Sequence, residues 1–199
     1  AAGHMPAVLR TFGRRYPRID VEIFDVIADR VLALVRQGRA DFGLSVAPPS
    51  NEPEASFETL FKERFVVVHP PDHPVSRGDQ VTARELTQYP FISLSRASSV
   101  RKAFDQAVIE EDISMRPTLE VEQLSTAATL VAQGHGLTAV PEACLPLMRV
   151  HGLGERPLVA PSVSREIGVL TRRGRSLSVS SDALLNDIRI ALWDRLIAP

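Results

Sequence analysis

Strand-type and helix-type hydrophobic patterns alternate along almost the whole chain of 199 residues. Residues 19–23 alternate strictly between apolar and polar, which predicts a strand, and residues 25–37 have helical spacing that ends at Gly38. The other predicted strands are residues 42–46, 57–60, 65–69, 91–94, 118–121, 137–140 and 167–170. The other predicted helices are residues 6–16, 82–88, 99–111, 125–133, 141–148 and 181–197. This alternation predicts an α/β fold in which helices cover parallel sheets.

A proline-rich segment divides the chain. Residues 70–80 contain Pro70, Pro71, Pro74 and Gly78, a composition typical of a connection between domains. The simplest arrangement has residues 77–160 as lobe II and residues 1–76 with 161–199 as lobe I. Two doubly wound, Rossmann-like lobes joined by two crossings would leave a cleft lined by strand ends and helix N-termini.

Composition excludes several classes of protein. The net charge of −1 provides no basic field for nucleic acid. A single cysteine, Cys144, excludes an internal disulfide framework and is compatible with a reducing cytoplasm. Neither a membrane-spanning apolar run nor an export signal is visible in the sequence, so a cytoplasmic location without a membrane partner is expected.

Residues for catalysis or metal binding are not apparent. The serines near residue 98 lack a Gly-x-Ser-x-Gly elbow. His69 and His73 have a helical spacing, but the prolines between them exclude the helix that would place both on one face. The sequence therefore predicts no catalytic residue, no metal site and no cofactor.

Ordered segments over nearly the whole chain resemble one known family. They are residues 6–12 (PAVLRTF) with Arg15-Tyr16-Pro17, residues 35–44 (VRQGRADFGL), Asp72-His73-Pro74, Pro90-Phe91-Ile92, and residues 130–137 (LVAQGHGL) leading to Val140-Pro141. Each segment alone is weak, whereas the ordered set is specific. In these segments the chain resembles the C-terminal effector-binding (substrate-binding) domain of LysR-type transcriptional regulators.

The resemblance implies a fold like that of type 2 periplasmic binding proteins, with a small-molecule inducer held between the lobes. It implies a homodimer, or a tetramer of the full-length protein, and contact with DNA only through an N-terminal winged helix-turn-helix that this chain lacks. The chain is thus expected to be a fragment that is not an enzyme. The family's first strand is also missing before residue 5, where residues 1–5 read as an exit loop or a cloning scar. The helix over residues 25–37 suits either a dimer interface or a core.

The segment from residue 93 to residue 100 passes from a strand through a small polar loop into a helix N-terminus. Such a junction offers backbone N–H groups to an anion. The pattern alone favours the alternative, in which Ser98 or Ser99 only caps the helix. The resemblance makes this loop the lobe II effector contact, formed by Ser95, Arg96, Ala97, Ser98, Ser99 and Val100. Arg96 would either contact the ligand or face solvent, and Arg101 and Lys102 are expected to be solvated.

From lobe I, the resemblance implies ligand contacts at Ala28, Val46 and Ala47, with His4 near the mouth of the cleft. These three apolar residues favour a ligand with an apolar or aromatic body and a carboxylate directed toward Ser98 and Ser99. Two other functions share such a fold. A stand-alone solute-binding protein of a transporter would need an export signal, and a small enzyme would need a positioned acid, base or nucleophile.

Overall fold

A computed structural model describes residues 5–49 and 52–197 of the chain, with side chains to Leu192. The helices are α1 Met5–Arg15, α2 Ala28–Arg36, α3 Ala83–Leu86, α4 Ser99–Glu110, α5 Leu124–Ala132, α6 Leu145–Arg149 and α7 Val179–Ile197. The strands are β1 Phe42–Val46, β2 Ala55–His69, β3 Val81–Thr82, β4 Ile92–Leu94, β5 Leu119–Val121, β6 Thr138–Pro141, β7 Gly154–Val159 and β8 Ser164–Arg172. Short 3-10 turns lie at Pro74–Arg77 and Glu142–Cys144.

The chain forms two compact units. Unit 1 comprises Ala1–Lys62 and Glu166–Pro199, and unit 2 comprises Glu63–Arg165. The chain passes from one unit to the other within β2 and returns within β8, whereas the sequence predicted boundaries at 76/77 and 160/161. The proline-rich segment belongs to unit 2, because the Arg156 guanidinium on β7 donates to the carbonyl oxygens of Ser76 and Gly78.

The sheet of unit 2 is mixed rather than parallel. Strand β2 lies between β6 and β7 and runs antiparallel to both. Strand β3 is parallel to β7, and β4 is parallel to β5. A parallel bridge between Phe91 and Leu137 connects β4 to β6. The prediction of parallel sheets was incomplete because the strand that enters the unit runs against its neighbours.

Alternate residues of β2 serve two cores in unit 2. Phe65 and Val67 belong to a cluster with Leu86 and Phe104, from α3 and α4. Val66 and Val68 belong to a second cluster, which contains Ala127, Ala128 and Val131 of α5 and Met148 of α6. Because successive side chains of a strand point to opposite faces, helices cover both faces of this sheet.

Unit 1 has a smaller sheet in the order β1-β8-β2, with β1 antiparallel to β8. Helices α1 and α7 pack together through Val8 and Phe12 against Leu184 and Ile188. Phe42 and Leu44 of β1 contact this cluster. The residue between them, Gly43, faces α2 instead, so helices lie on both faces of β1.

Three parts of the chain depart from the predicted elements. The strand expected at residues 19–23 is wrong: residues 19–27 have no regular structure, and α2 begins at Ala28. A strand needs hydrogen-bonded neighbours, and the described part of the chain pairs none with this segment. Strand β7 was not predicted, and the two strands expected within residues 57–69 are one continuous strand, β2. None of the described helices is both long and apolar enough to span a membrane.

Candidate functional site

The predicted effector loop of unit 2 connects β4 to α4. Strand β4 is buried, and the Ser95 N–H continues its pairing with β5 by donating to the Val121 carbonyl oxygen at 2.8 Å. The Ser98 N–H then donates to the Ser95 carbonyl oxygen at 2.9 Å, which closes a tight turn. Arg96 and Ala97 lie at the tip of this turn and are exposed. The loop thus leads directly from a buried strand to a helix N-terminus.

Ser98 is the N-cap of α4. Its Oγ accepts a hydrogen bond from the Val100 N–H at 3.2 Å. The other N–H groups of the first turn have no partner within the helix, because no residue precedes them at the required spacing. Together with the helix dipole they give this end of α4 a partial positive charge of about half a unit. The capping role therefore accounts for the Ser98 hydroxyl, and the end of the helix keeps its partial positive charge.

Ser99 contacts a residue that the sequence did not point to. Its Oγ accepts a hydrogen bond from Arg165 Nη1 at 3.1 Å. The Nε of the same guanidinium donates to Glu63 Oε1 at 2.6 Å. Arg165 lies 66 residues from Ser99 along the chain, near the start of β8, Ser164–Arg172. No signal in a single sequence would have placed it beside Ser99.

Arg101 differs from its prediction. The sequence placed it in solvent, but its side chain is only 8% exposed, and its Nε donates to Asp105 Oδ2 at 2.5 Å. The Glu120 carboxylate lies 4.0 Å from its Nη1. Asp105 is one helical turn further along α4, a spacing that brings two side chains together on a helix surface. The predicted solvated arginine is therefore a buried, ion-paired residue.

The predicted ligand residues of lobe I that the structure describes all lie in unit 1. Ala28 is the first residue of α2 and is half-buried. Val46 ends β1 opposite Ile167 of β8, and Ala47 follows it in an exposed position. His4 lies outside the described residues. A contact of these residues with a ligand stays a prediction.

Unit 1 also contains a cavity of about 690 Å³. Its walls include Phe12 of α1, Ile188 of α7, and Phe42 and Leu44 of β1, together with the irregular segment 19–26. Ala28, Val46 and Ala47 do not line it. The cavity lies beside the segment whose predicted strand did not form, and its core-facing walls are largely apolar.

Comparison with known proteins yields one family. The sequence profile of the LysR substrate binding domain matches residues 1–192. The chain is 28% identical over 189 residues to the uncharacterized HTH-type transcriptional regulator YbhD of Escherichia coli K12, which covers 95% of the chain and 59% of YbhD. The chain thus spans less than two thirds of the length of this curated relative.

Solved structures agree on the fold. The effector-binding domain of QuiR in complex with shikimate has a TM-score of 0.80 at 20% identity and covers 95% of this chain and 90% of that one. The effector-binding domain of BenM with its effector benzoate also has a TM-score of 0.80, at 21% identity, and covers 98% of this chain and 89% of that one. These similarities confirm the predicted α/β fold class.

Proposed function

Because the chain belongs to the family of LysR substrate-binding domains, we propose that it is the effector-sensing part of a longer transcriptional regulator. It binds a small organic anion, a carboxylate, and transmits this event to DNA-binding domains outside the chain. The names of the curated relatives support this role: YbhD is an HTH-type transcriptional regulator, and a relative in Mycobacterium avium is a probable hydrogen peroxide-inducible genes activator. Transcriptional regulators are not enzymes, and we propose no catalytic activity.

The observation that carries this proposal is the loop from Ser95 to Val100. It presents the positive end of the 12-residue helix α4 at the end of a buried strand, with a guanidinium bonded to Ser99. N–H groups and positive charge at a helix N-terminus favour an anion. Shikimate and benzoate, named with QuiR and BenM, are both carboxylates, which makes this class of ligand the first to test.

The body of the ligand is proposed to be apolar or aromatic. Ala28, Val46 and Ala47, the predicted contacts of unit 1, offer neither a charge nor a hydroxyl. A ligand that is polar throughout would lose hydrogen bonds with water at such residues without replacement.

A thermal-shift screen of aromatic and small organic acids tests the proposal, followed by calorimetry of each acid that raises the unfolding temperature. For an acid that raises the unfolding temperature, Ser99→Ala should weaken binding by about 10-fold, because the anion loses one hydrogen-bond donor. Ser56→Ala, at an exposed position of β2, is the matched control and should leave the affinity unchanged. Equal affinities of the wild type and Ser99→Ala would place the ligand elsewhere.

We also propose that the longer protein forms a homodimer. In unit 1, Val21, Ile23, Val26 and Ile27 expose between 39% and 57% of their surface just before α2. Exposed apolar residues that are grouped in one segment favour association with another surface. Light scattering of the full-length regulator over a range of concentrations tests this expectation, and a monomer at micromolar concentration would contradict it.

A further inference from the structure

An ion pair joins the first residue of unit 2 to its last. Glu63 begins the unit within β2, and Arg165 ends it within β8. Their 2.6 Å contact is largely buried: the Glu63 side chain is 5% exposed and that of Arg165 is 16% exposed. Because a buried charge needs a partner, each of these side chains holds the other in position.

Glu63 does not saturate the guanidinium. A bidentate pair would form two parallel N–H···O bonds, but Glu63 Oε2 is buried and has no hydrogen-bond partner among the described residues. Arg165 directs its Nη1 to Ser99 instead. These two contacts occupy two of the five N–H donors that a guanidinium carries. The Arg165 guanidinium is thus held by Glu63 and Ser99, and N–H donors that these two contacts do not use remain beside the N-terminus of α4.

The charge balance at Ser99 indicates the kind of anion that fits. Among the less exposed groups, Arg165 contributes one positive charge, Glu63 one negative charge, and the helix end about half a positive charge. Arg101 is balanced by its ion pair with Asp105. Arg96 and Lys102 are exposed, where water and salt screen their charges. The remainder is a small positive charge, which one carboxylate neutralises. A dianion would leave excess negative charge close to the buried Glu63 carboxylate, and like charges at short range in a buried site repel strongly.

We propose that Arg165 is a ligand-binding residue of this site, that it selects a monoanionic carboxylate, and that Glu63 is the residue that positions its guanidinium. The inference rests on the proposed function, which places an anion at the same end of α4. The ligand carboxylate accepts charge-assisted hydrogen bonds from the free donors of Arg165 and from the first turn of the helix. Glu63 orients the guanidinium and disfavours dianions by repulsion.

An NMR titration of the ¹⁵N-labelled domain tests the role of Arg165 and the selection of monoanions without any mutation. Sodium benzoate serves as the monoanion and sodium sulfate as the dianion, at matched ionic strength. Benzoate should move the amide signals of Ser98, Ser99 and Val100 together with the side-chain Nε–H signal of Arg165, and sulfate should bind at least 10-fold more weakly. The Nε–H of Arg156, which is held by the Gly78 carbonyl oxygen, is the internal control and should not move.

The outcomes separate this inference from the proposed function. If the amides of α4 move while the Arg165 signal does not, the anion site stands and the role of Arg165 is overturned. If neither anion moves the amides, the anion site at α4 and the role of Arg165 are both overturned, while the effector-sensing function is decided separately by the thermal-shift screen. If sulfate binds as well as benzoate, the selection of monoanions is overturned.

Variants give a second, independent readout. Arg165→Gln should weaken benzoate binding by about 10-fold to 100-fold, as expected for the loss of a hydrogen bond to a charged group. Glu63→Gln should raise the affinity for sulfate relative to benzoate by about 10-fold, because it removes the repelling charge. Arg149→Gln removes an arginine from another ion pair of unit 2, with Glu155 at 2.6 Å, and should change neither affinity. An unchanged ratio of the two affinities in Glu63→Gln would overturn the role assigned to Glu63.

Discussion

Gly43 of β1 faces Val31 of α2 so closely that a β-carbon on Gly43 would lie 2.3 Å from Val31 Cγ1. Non-bonded carbon atoms reach their optimal separation at about 3.5–4.0 Å. The missing side chain of Gly43 therefore sets the distance at which α2 packs on the sheet of unit 1, and any other residue would push the helix away.

Gly43→Ala should destabilise the protein by about 1–3 kcal/mol, the usual cost of overpacking a core. Urea unfolding measures the change. The double variant with Val31→Ala should recover part of the loss, since it removes the atoms that clash. Gly13→Ala is the control: apart from the local backbone of α1, no heavy atom of the described residues lies within 4 Å of a β-carbon added to Gly13. This change should stabilise by about 0.5–1 kcal/mol. A neutral Gly43→Ala would show that α2 is free to shift.

Thr82 and Glu85 cap α3 reciprocally. The Thr82 N–H donates to Glu85 Oε2 at 2.7 Å, and the Glu85 N–H donates to Thr82 Oγ1 at 3.1 Å. Thr82→Ala should cost about 1 kcal/mol, whereas Thr82→Ser, which keeps the hydroxyl, should cost little. Denaturant unfolding of the two variants provides the measurement.

The same cap affects the titration of Glu85. The backbone hydrogen bond from Thr82, followed by that from its side chain, lowers the pKa of Glu85 below 4.5. A lowered carboxyl pKa adds stability above the ordinary pKa, and this stability is lost as the pH falls through the folded value. In Thr82→Ala the pKa of Glu85, followed by NMR, should rise toward 4.5, and a pKa equal to that of the wild type would contradict the contribution of the hydroxyl.

His73 should make stability depend on pH below neutrality. Its Nδ1 accepts a hydrogen bond from the Val75 N–H at 3.3 Å, and its ring packs edge-on against Tyr89 at 4.7 Å. Burial, followed by the charge of His69, lowers the pKa of His73 below 6.5. The neutral ring therefore contributes stability above pH 6.5, and this contribution is lost as the pH falls through the lowered pKa.

His73→Asn keeps an acceptor for the cap but does not titrate. Its unfolding free energy should fall less steeply between pH 7 and pH 5 than that of the wild type. His151→Asn, at an exposed position, should keep the wild-type slope. Parallel profiles for His73→Asn and the wild type would exclude His73 as the titrating group.

Cys144 should react slowly with a thiol reagent in the folded protein. Burial raises the pKa of its thiol, Arg165 lowers it and Glu63 raises it, so the net direction is upward. The thiolate is the reactive form. Reaction with Ellman's reagent at pH 8 should be slow in buffer and fast in 8 M urea, and slower still in folded Arg165→Gln, which loses the charge that favours the thiolate. Equal rates in buffer and urea would contradict the raised pKa.

Much of the local structure was readable in the sequence. Helix α4 was predicted for residues 99–111 and spans Ser99–Glu110, and the helix predicted for residues 82–88 contains α3, Ala83–Leu86, with its cap at Thr82. Such elements depend on residues within one or two turns, so a single sequence contains the information that forms them. The family resemblance inferred from the ordered segments was confirmed by the match to the family profile over residues 1–192.

Tertiary structure decided what depends on distant partners. Residues 19–23 have the alternation of a strand, but no strand in the described part of the chain pairs with them. Arg101 was predicted to lie in solvent, but it is buried and forms an ion pair with Asp105. The sequence by itself determined the helix end at Ser98 and the partial positive charge of that end, because a cap and a helix dipole are local. Only the fold brought Arg165 to Ser99, because a guanidinium held by a buried carboxylate needs two strands that lie far apart in the chain to meet at one point.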